Sequence, residues 1–130
     1  MPLPPLTYAN LLKEKLEVSG AKVYLVNTGW SGGSAADGAQ RISIKATRAI
    51  ITSILTGAIE KEKFAIDPVF GTRVPLSLPG VDPAILKPRD AWSDPQAYDA
   101  AARLLAEKFV ENFQKYVEVE ANLVNAGPQV

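Results

Sequence analysis

Between residues 7 and 19 the apolar positions Tyr8, Leu11, Leu12 and Leu16 recur at helical spacing, and Lys13, Glu14, Lys15 and Glu17 occupy the other face. The pattern predicts an amphipathic helix of about three turns starting at Thr7. Gly20 is placed to end it, since a helix commonly closes on a residue that tolerates left-handed backbone. AKVYLVNT, residues 21–28, follows as an apolar run rich in β-branched residues and without helical periodicity. Such a run predicts a strand buried on both faces. Beyond a glycine-rich stretch, Thr47, Ile50, Ile51, Ile54 and Leu55 form an apolar stripe that stops at Gly57 and predicts a second helix with that stripe as its core face. FAIDPVFGTRVP, residues 64–75, reads as two short extended segments around a turn at residues 67–72, and Pro68 and Pro75 confine them to the margin of any sheet. SLPGVDPAILKPRDAW, residues 77–92, reads as proline-punctuated loop. Asp94 can then cap, and Pro95 can open, a helix on which Tyr98, Ala102, Leu105, Phe109, Phe113 and Tyr116 mark one face over about six turns. A last helical turn is expected at residues 121–125 before Gly127 and Pro128, and residues 1–6 are expected to be a loose proline-rich lead-in.

Together these elements predict a mixed α/β unit with a central buried strand, a short hairpin and a long C-terminal helix. A strand that is apolar on both faces needs neighbours on both sides, yet the only other strands predicted are the two of the proline-limited hairpin. The expectation is that these residues evolved as the end of a longer α/β protein.

Composition narrows the chemistry. The 130 residues suit one domain. Lys plus Arg total 14 and Asp plus Glu total 14, so no net charge draws the chain to nucleic acid, an acidic membrane or a polyanionic substrate. The sequence has no Cys and no His. That excludes disulfides and serine–histidine or cysteine–histidine catalysis within the chain, and it removes the commonest metal ligand. Apolar stretches such as residues 49–55 are broken by Thr52 and Ser53 and fall far short of the roughly 20 residues that span a bilayer. The N-terminal MPLPPL lacks the basic and apolar regions of a signal peptide, and a cytoplasmic location is expected.

The stretch VNTGWSGGSAADGAQRISIKATRAI, residues 26–50, has the order strand, glycine-rich loop, helix that many proteins use to hold a nucleotide phosphate. A Walker-type loop requires G-x-x-x-x-G-K-[ST], and Gly33 and Gly38 have that separation, but Ala39 and Gln40 stand where the lysine and the hydroxyl belong. The G-x-G-x-x-G dinucleotide fingerprint is absent as well. Arg41, Lys45 and Arg48 fall at i, i+4 and i+7, a row that meets an anion or is simply solvated if the helix starts that early.

Four stretches in register carry a more specific signal: YLVNTGWSGG, RISIKATRAII, PVFGTRVPLSLPGVDPAILKPRDAW and AARLLAEKFVENFQKY. Together they resemble the C-terminal part of the ATP-dependent phosphoenolpyruvate carboxykinases, and PLTYANLLKEKL is similar to the helix that precedes the strand in that family. The resemblance runs from about Pro4 to Pro128 without large gaps. It implies a full enzyme of roughly four times this length, a gluconeogenic lyase that converts oxaloacetate and ATP to phosphoenolpyruvate, carbon dioxide and ADP with magnesium and manganese. The family's phosphate loop, metal-binding residues and substrate arginine lie upstream of the matching region. Residues 1–130 are accordingly expected to be a partial nucleotide-binding domain that holds no metal, carries no catalytic residue and is inactive alone.

The family's nucleotide contacts within the RISIKAT motif carry over to Arg41, Ile42 and Thr47. The resemblance implies that Ile42 packs on the purine, Thr47 hydrogen-bonds a ring or ribose atom, and Arg41 covers the base with its guanidinium toward phosphate. Where the family has an aromatic residue and Gly-Lys before the arginine, this chain reads SAADGAQRI, with Gln40 in place of the lysine. The loop is therefore expected to shape the adenine side of an ATP pocket and not to grip phosphate. Two other readings stand beside this one. The first is a non-catalytic interaction module that binds an upstream carboxykinase fragment or itself, and the second is a small independent nucleotide-binding domain.

Overall fold

The computed structural model describes residues 3–33, 38–116 and 119–130. Helix α1 (Pro5–Ser19) starts two residues earlier than its apolar periodicity indicates. Pro5 takes the first helical position, where its fixed φ fits and its missing N–H costs nothing, so the lead-in contributes to the helix. The other end matches expectation: Gly20, at φ 64°, donates its N–H to the Leu16 carbonyl at 2.8 Å.

Residues 21–28 depart from the sequence reading. They make no strand pairing, and Val23 is 63% and Leu25 89% exposed. The physical reason is the missing partner: among the described residues the strands form only two separate antiparallel pairs, and neither includes this segment. What holds the segment is local. Tyr24 packs on the core, and Lys22 forms an ion pair with Glu60.

The first strand pair is β1 (Trp30–Ser31) with β2 (Gln40–Arg41). Helix α2 (Ile44–Leu55) follows at once and is capped by Ser43, whose Oγ accepts from the Ala46 N–H at 3.1 Å. Arg41 therefore lies on a strand while Lys45 and Arg48 lie on a helix, and the three do not form one helical row. The buried side of α2 is also rotated from the expected stripe. Ala46 and Ser53 are buried and Ala49, Ile50 and Ile54 pack against the core, whereas Leu55 remains 81% exposed.

A 3₁₀ turn (Ala58–Lys61) leads to the hairpin of β3 (Phe64–Ile66) and β4 (Arg73–Pro75), where Phe64 faces Pro75 and Ile66 faces Arg73. Its turn is built by Asp67, whose Oδ1 accepts from the N–H groups of Val69 and Phe70 at 2.9 and 2.7 Å. The proline-punctuated segment is more ordered than expected. It contains two one-turn helices, α3 (Pro83–Leu86) and α4 (Pro88–Ala91). Proline placed at the first helical position opens a helix instead of breaking one, and Asp82 caps α3 by accepting from the Ala84 N–H at 2.9 Å. Ile59, Leu78, Val81 and Leu86 form the core between α2 and this segment.

Helix α5 (Pro95–Phe113) begins at the predicted cap, with Asp94 Oδ1 accepting from the Gln96 N–H at 2.8 Å. Arg89 grips Asp99 through two hydrogen bonds of 2.8 and 3.0 Å, joining α4 to α5 and holding the Asp99 carboxyl below the ordinary carboxylate range. Only Ala102 and Ala106 of α5 are buried, so most of the apolar face expected there stays open to solvent. Phe109 still meets Phe70 of the hairpin turn edge-on at 6.3 Å. Helix α6 (Ala121–Asn125) lies where it was expected, and the Gln129 N–H bonds the Val69 carbonyl at 2.7 Å, fastening the C-terminus to the same turn. The fold is thus mixed α/β, with the short hairpin and long C-terminal helix in place, while residues 21–28, expected as a central buried strand, form no strand.

Candidate functional site

The site forms where the extended segment, the glycine-rich loop and the start of α2 meet. Asn27 Oδ1 accepts from the Gly29 N–H at 2.9 Å, an Asx turn that bends the chain after Thr28. The Gly29 carbonyl then accepts from the Ile42 N–H at 2.9 Å, and the ladder pairs Trp30 with Arg41 and Ser31 with Gln40. Ser43, at φ −67° and ψ 150°, turns the chain into α2, and its carbonyl receives the Thr47 N–H at 3.0 Å. One turn, one ladder and one cap therefore draw six residues around an open cleft of about 480 Å³: Thr28, Arg41, Ile42, Ser43, Ile44 and Thr47. That volume is within the range of about 300–1,000 Å³ common for small-molecule sites.

All three residues singled out from the sequence, Arg41, Ile42 and Thr47, line this cleft. Sequence reasoning missed Thr28, Ser43 and Ile44. Ser43 had a readable signal, since a serine directly before an apolar helical run is a candidate cap. Thr28 had none, because its place depends on the Asn27 turn and on the bond from Ile42 to Gly29. Residues 34–37 of the loop lie outside the described residues, and with them most of the stretch between Gly33 and Gly38.

Chemically the lining combines two branched aliphatic side chains, three hydroxyls and one guanidinium. Ser43 Oγ already accepts the helix-capping bond, which leaves its proton to donate. A planar ligand with an apolar face and a polar edge suits this set. A divalent cation does not, because magnesium and manganese take oxygen ligands with carboxylates among them and no lining residue carries one. Among the described residues no group of three His, Cys, Asp or Glu could hold a metal ion.

The loop is held close to α4 at Gly32. Its φ is 85°, and a Cβ there would lie 2.8 Å from the Ala91 carbonyl oxygen. Left-handed backbone alone costs a non-glycine residue about 1–2 kcal/mol, and the contact with fixed backbone adds to that. Gly32→Ala is therefore expected to lower stability by at least about 1–2 kcal/mol, read as an earlier urea midpoint. A midpoint equal to that of the parent would show that the loop does not sit against α4.

A family profile described as Phosphoenolpyruvate carboxykinase matches residues 1–84. Phosphoenolpyruvate carboxykinase (ATP) of Caldanaerobacter subterraneus subsp. tengcongensis is 48% identical over 129 residues, which cover 99% of this chain and 25% of that protein. The enzyme of the same description from Rhizobium rhizogenes is 50% identical over 129 residues, covering 98% of this chain and 24% of the relative. That of Thermus thermophilus is 46% identical over 130 residues, with 99% and 24% covered. The chain thus spans about a quarter of the length of the curated relatives it matches. Among the described residues no helix is long and apolar enough to cross a membrane. With the profile matching well over half of its residues, and such relatives along nearly all of its length, the chain belongs to the ATP-dependent phosphoenolpyruvate carboxykinase family.

Proposed function

We propose that these residues are a C-terminal, nucleotide-binding segment of phosphoenolpyruvate carboxykinase (ATP), which converts oxaloacetate and ATP to phosphoenolpyruvate, carbon dioxide and ADP. In this reading the cleft forms the adenine side of the ATP site. The supporting observation is that Arg41, Ile42 and Thr47, assigned to the nucleotide by resemblance, line one cleft together with a second isoleucine and two further hydroxyl side chains. In the same reading magnesium and manganese are held by other parts of the complete enzyme; the lining of this cleft offers them no carboxylate.

A single wall binds weakly. Ile42 and Ile44 supply apolar contact, and each hydrogen bond contributes about 0.5–1.5 kcal/mol net. Immobilising the ligand and ordering the loop offset much of this. Affinity for ATP is expected near the millimolar level, about 4 kcal/mol, and no phosphoenolpyruvate should form from oxaloacetate and ATP with both metals supplied. Gln40 is on the strand beside Arg41 but outside the cleft lining, so Gln40→Lys is expected to strengthen ATP binding only modestly, up to about fivefold, as an exposed charge does. Titration calorimetry on parent and variant, beside a coupled product assay, tests this. Micromolar binding by the parent, or product above a protein-free control, would overturn the proposal in favour of an independent nucleotide domain.

A second reading has an observation of its own. Val23, Leu25, Ile44 and Leu55 are exposed apolar residues on the unpaired segment and on α2, as an interaction module would present to an upstream carboxykinase segment or to a second copy. Complex formation on mixing with such a segment, without ATP binding by either the chain or the complex, would favour this reading over the first.

A further inference from the structure

The resemblance assigns Arg41, Ile42 and Thr47 of the cleft lining to the nucleotide and leaves Thr28, which lines the same cleft, without a role. Arg41 is on β2, Ile42 lies between β2 and α2, and Thr47 is on α2, while Thr28 comes from the extended segment, 19 residues before Thr47 in the sequence. Its position is built and not incidental. The Asx turn from Asn27 to Gly29 fixes the backbone directly after it, and the Ile42 N–H bond to the Gly29 carbonyl pins that turn to another residue of the cleft lining. Upstream, Tyr24 packed against the core and the Lys22–Glu60 pair hold the segment, which has no strand partner among the described residues.

We infer that Thr28 is a nucleoside-positioning residue whose hydroxyl hydrogen-bonds the polar edge of the base or ribose, beside the contact assigned to Thr47. The inference rests on the adenine-side reading of the cleft. The lining offers three hydroxyls, of which Ser43 is tied to the helix cap, and among the described residues Thr28 and Thr47 make no side-chain hydrogen bond of that kind. They stand on separate chain segments and line the same cleft, so a single ligand bound there is within the lining that both supply. A hydroxyl donates as well as accepts, so Thr28 adds affinity and orientation for a nucleoside without choosing between bases by itself.

The test is a ligand-observed NMR titration with adenosine on the parent, Thr28→Val, Thr28→Ser and Thr47→Val, a method that works whether or not the protein self-associates. Thr28 is exposed, so valine should be tolerated, and far-UV circular dichroism confirms it; Thr28→Ala, which adds no bulk, replaces it otherwise. Loss of the Thr28 hydroxyl is expected to weaken adenosine binding about three- to tenfold while Thr28→Ser keeps most of it. Weakening by Thr47→Val with no change in Thr28→Val would overturn the role of Thr28 and leave the adenine-side reading intact. Adenosine binding that is absent in the parent, or unaffected by either substitution, would overturn both.

Discussion

Replacing Ile59 with alanine is expected to destabilise the chain by about 2–5 kcal/mol, enough to remove most of its cooperative unfolding transition. Ile59 is 4% exposed and lies in the small cluster with Leu78, Val81 and Leu86. Among the described residues seven hydrophobic side chains are buried, and three of them are alanines, so few neighbours can move in to fill the space that isoleucine leaves. The loss should therefore approach the transfer term plus a full cavity term. The consequence reaches the cleft, because Ile50 and Ile54 of α2 pack on the same cluster and α2 carries Thr47 and Ile44. Urea unfolding followed by circular dichroism measures it. Ile59→Val, which leaves a smaller void, should lose only about 0.5–1.5 kcal/mol. A sharp transition in Ile59→Ala at the parent's midpoint would show that this cluster does not hold the fold together.

The thinness of this core explains what the sequence disclosed and what it hid. Elements set by local chemistry were legible: the Asp94 cap with Pro95, the Gly20 stop, and the hairpin turn that Asp67 closes with two hydrogen bonds. Proline misled twice, at Pro5 and in residues 77–92, because its restriction on φ was read as an interruption where it served as the first position of a helix. Patterns that report tertiary burial were legible in kind but not in outcome. The run at residues 21–28 has the composition of an interior strand, yet backbone groups pair only when a partner is present, and the described residues supply none. The apolar stripe on α2 likewise counted Ile51 and Leu55 as core, while the structure buries Ala46 and Ser53 instead. For the site, Arg41, Ile42 and Thr47 came from family resemblance, and the row of Arg41, Lys45 and Arg48 held only if the helix started that early, whereas α2 begins at Ile44. Thr28 could not be read at all, since a turn and a long-range hydrogen bond bring it into the cleft.

Those unmatched burial patterns lead to the second large effect. At tens of micromolar, the chain is expected to elute from a sizing column well above its 14.0 kDa monomer mass. On α2, Ile44, Ile51 and Leu55 fall at i, i+7 and i+11, one side of a helix whose other side packs the core, and all three are exposed. The extended segment adds Val23 and Leu25 and an unpaired backbone edge, and α5 adds Leu105 and Phe109 one turn apart. Covering an isoleucine or leucine side chain is worth about 1.5–3 kcal/mol, so two or three such contacts across a self-made interface offset a substantial part of the entropy of association. With equal numbers of acidic and basic residues, net charge provides no repulsion to keep copies apart. The double substitution Ile51→Lys with Leu55→Lys should shift the equilibrium toward monomer by more than tenfold, about 1.4 kcal/mol or more, and leave the far-UV spectrum unchanged because neither side chain serves the core. Light scattering decides the matter. A parent that stays monomeric at high concentration would mean that the exposed apolar faces are too scattered to act together. A parent that associates as strongly as the double variant would move the contact from α2 to α5 or the unpaired segment, where Leu105→Lys with Phe109→Lys is the next variant to measure.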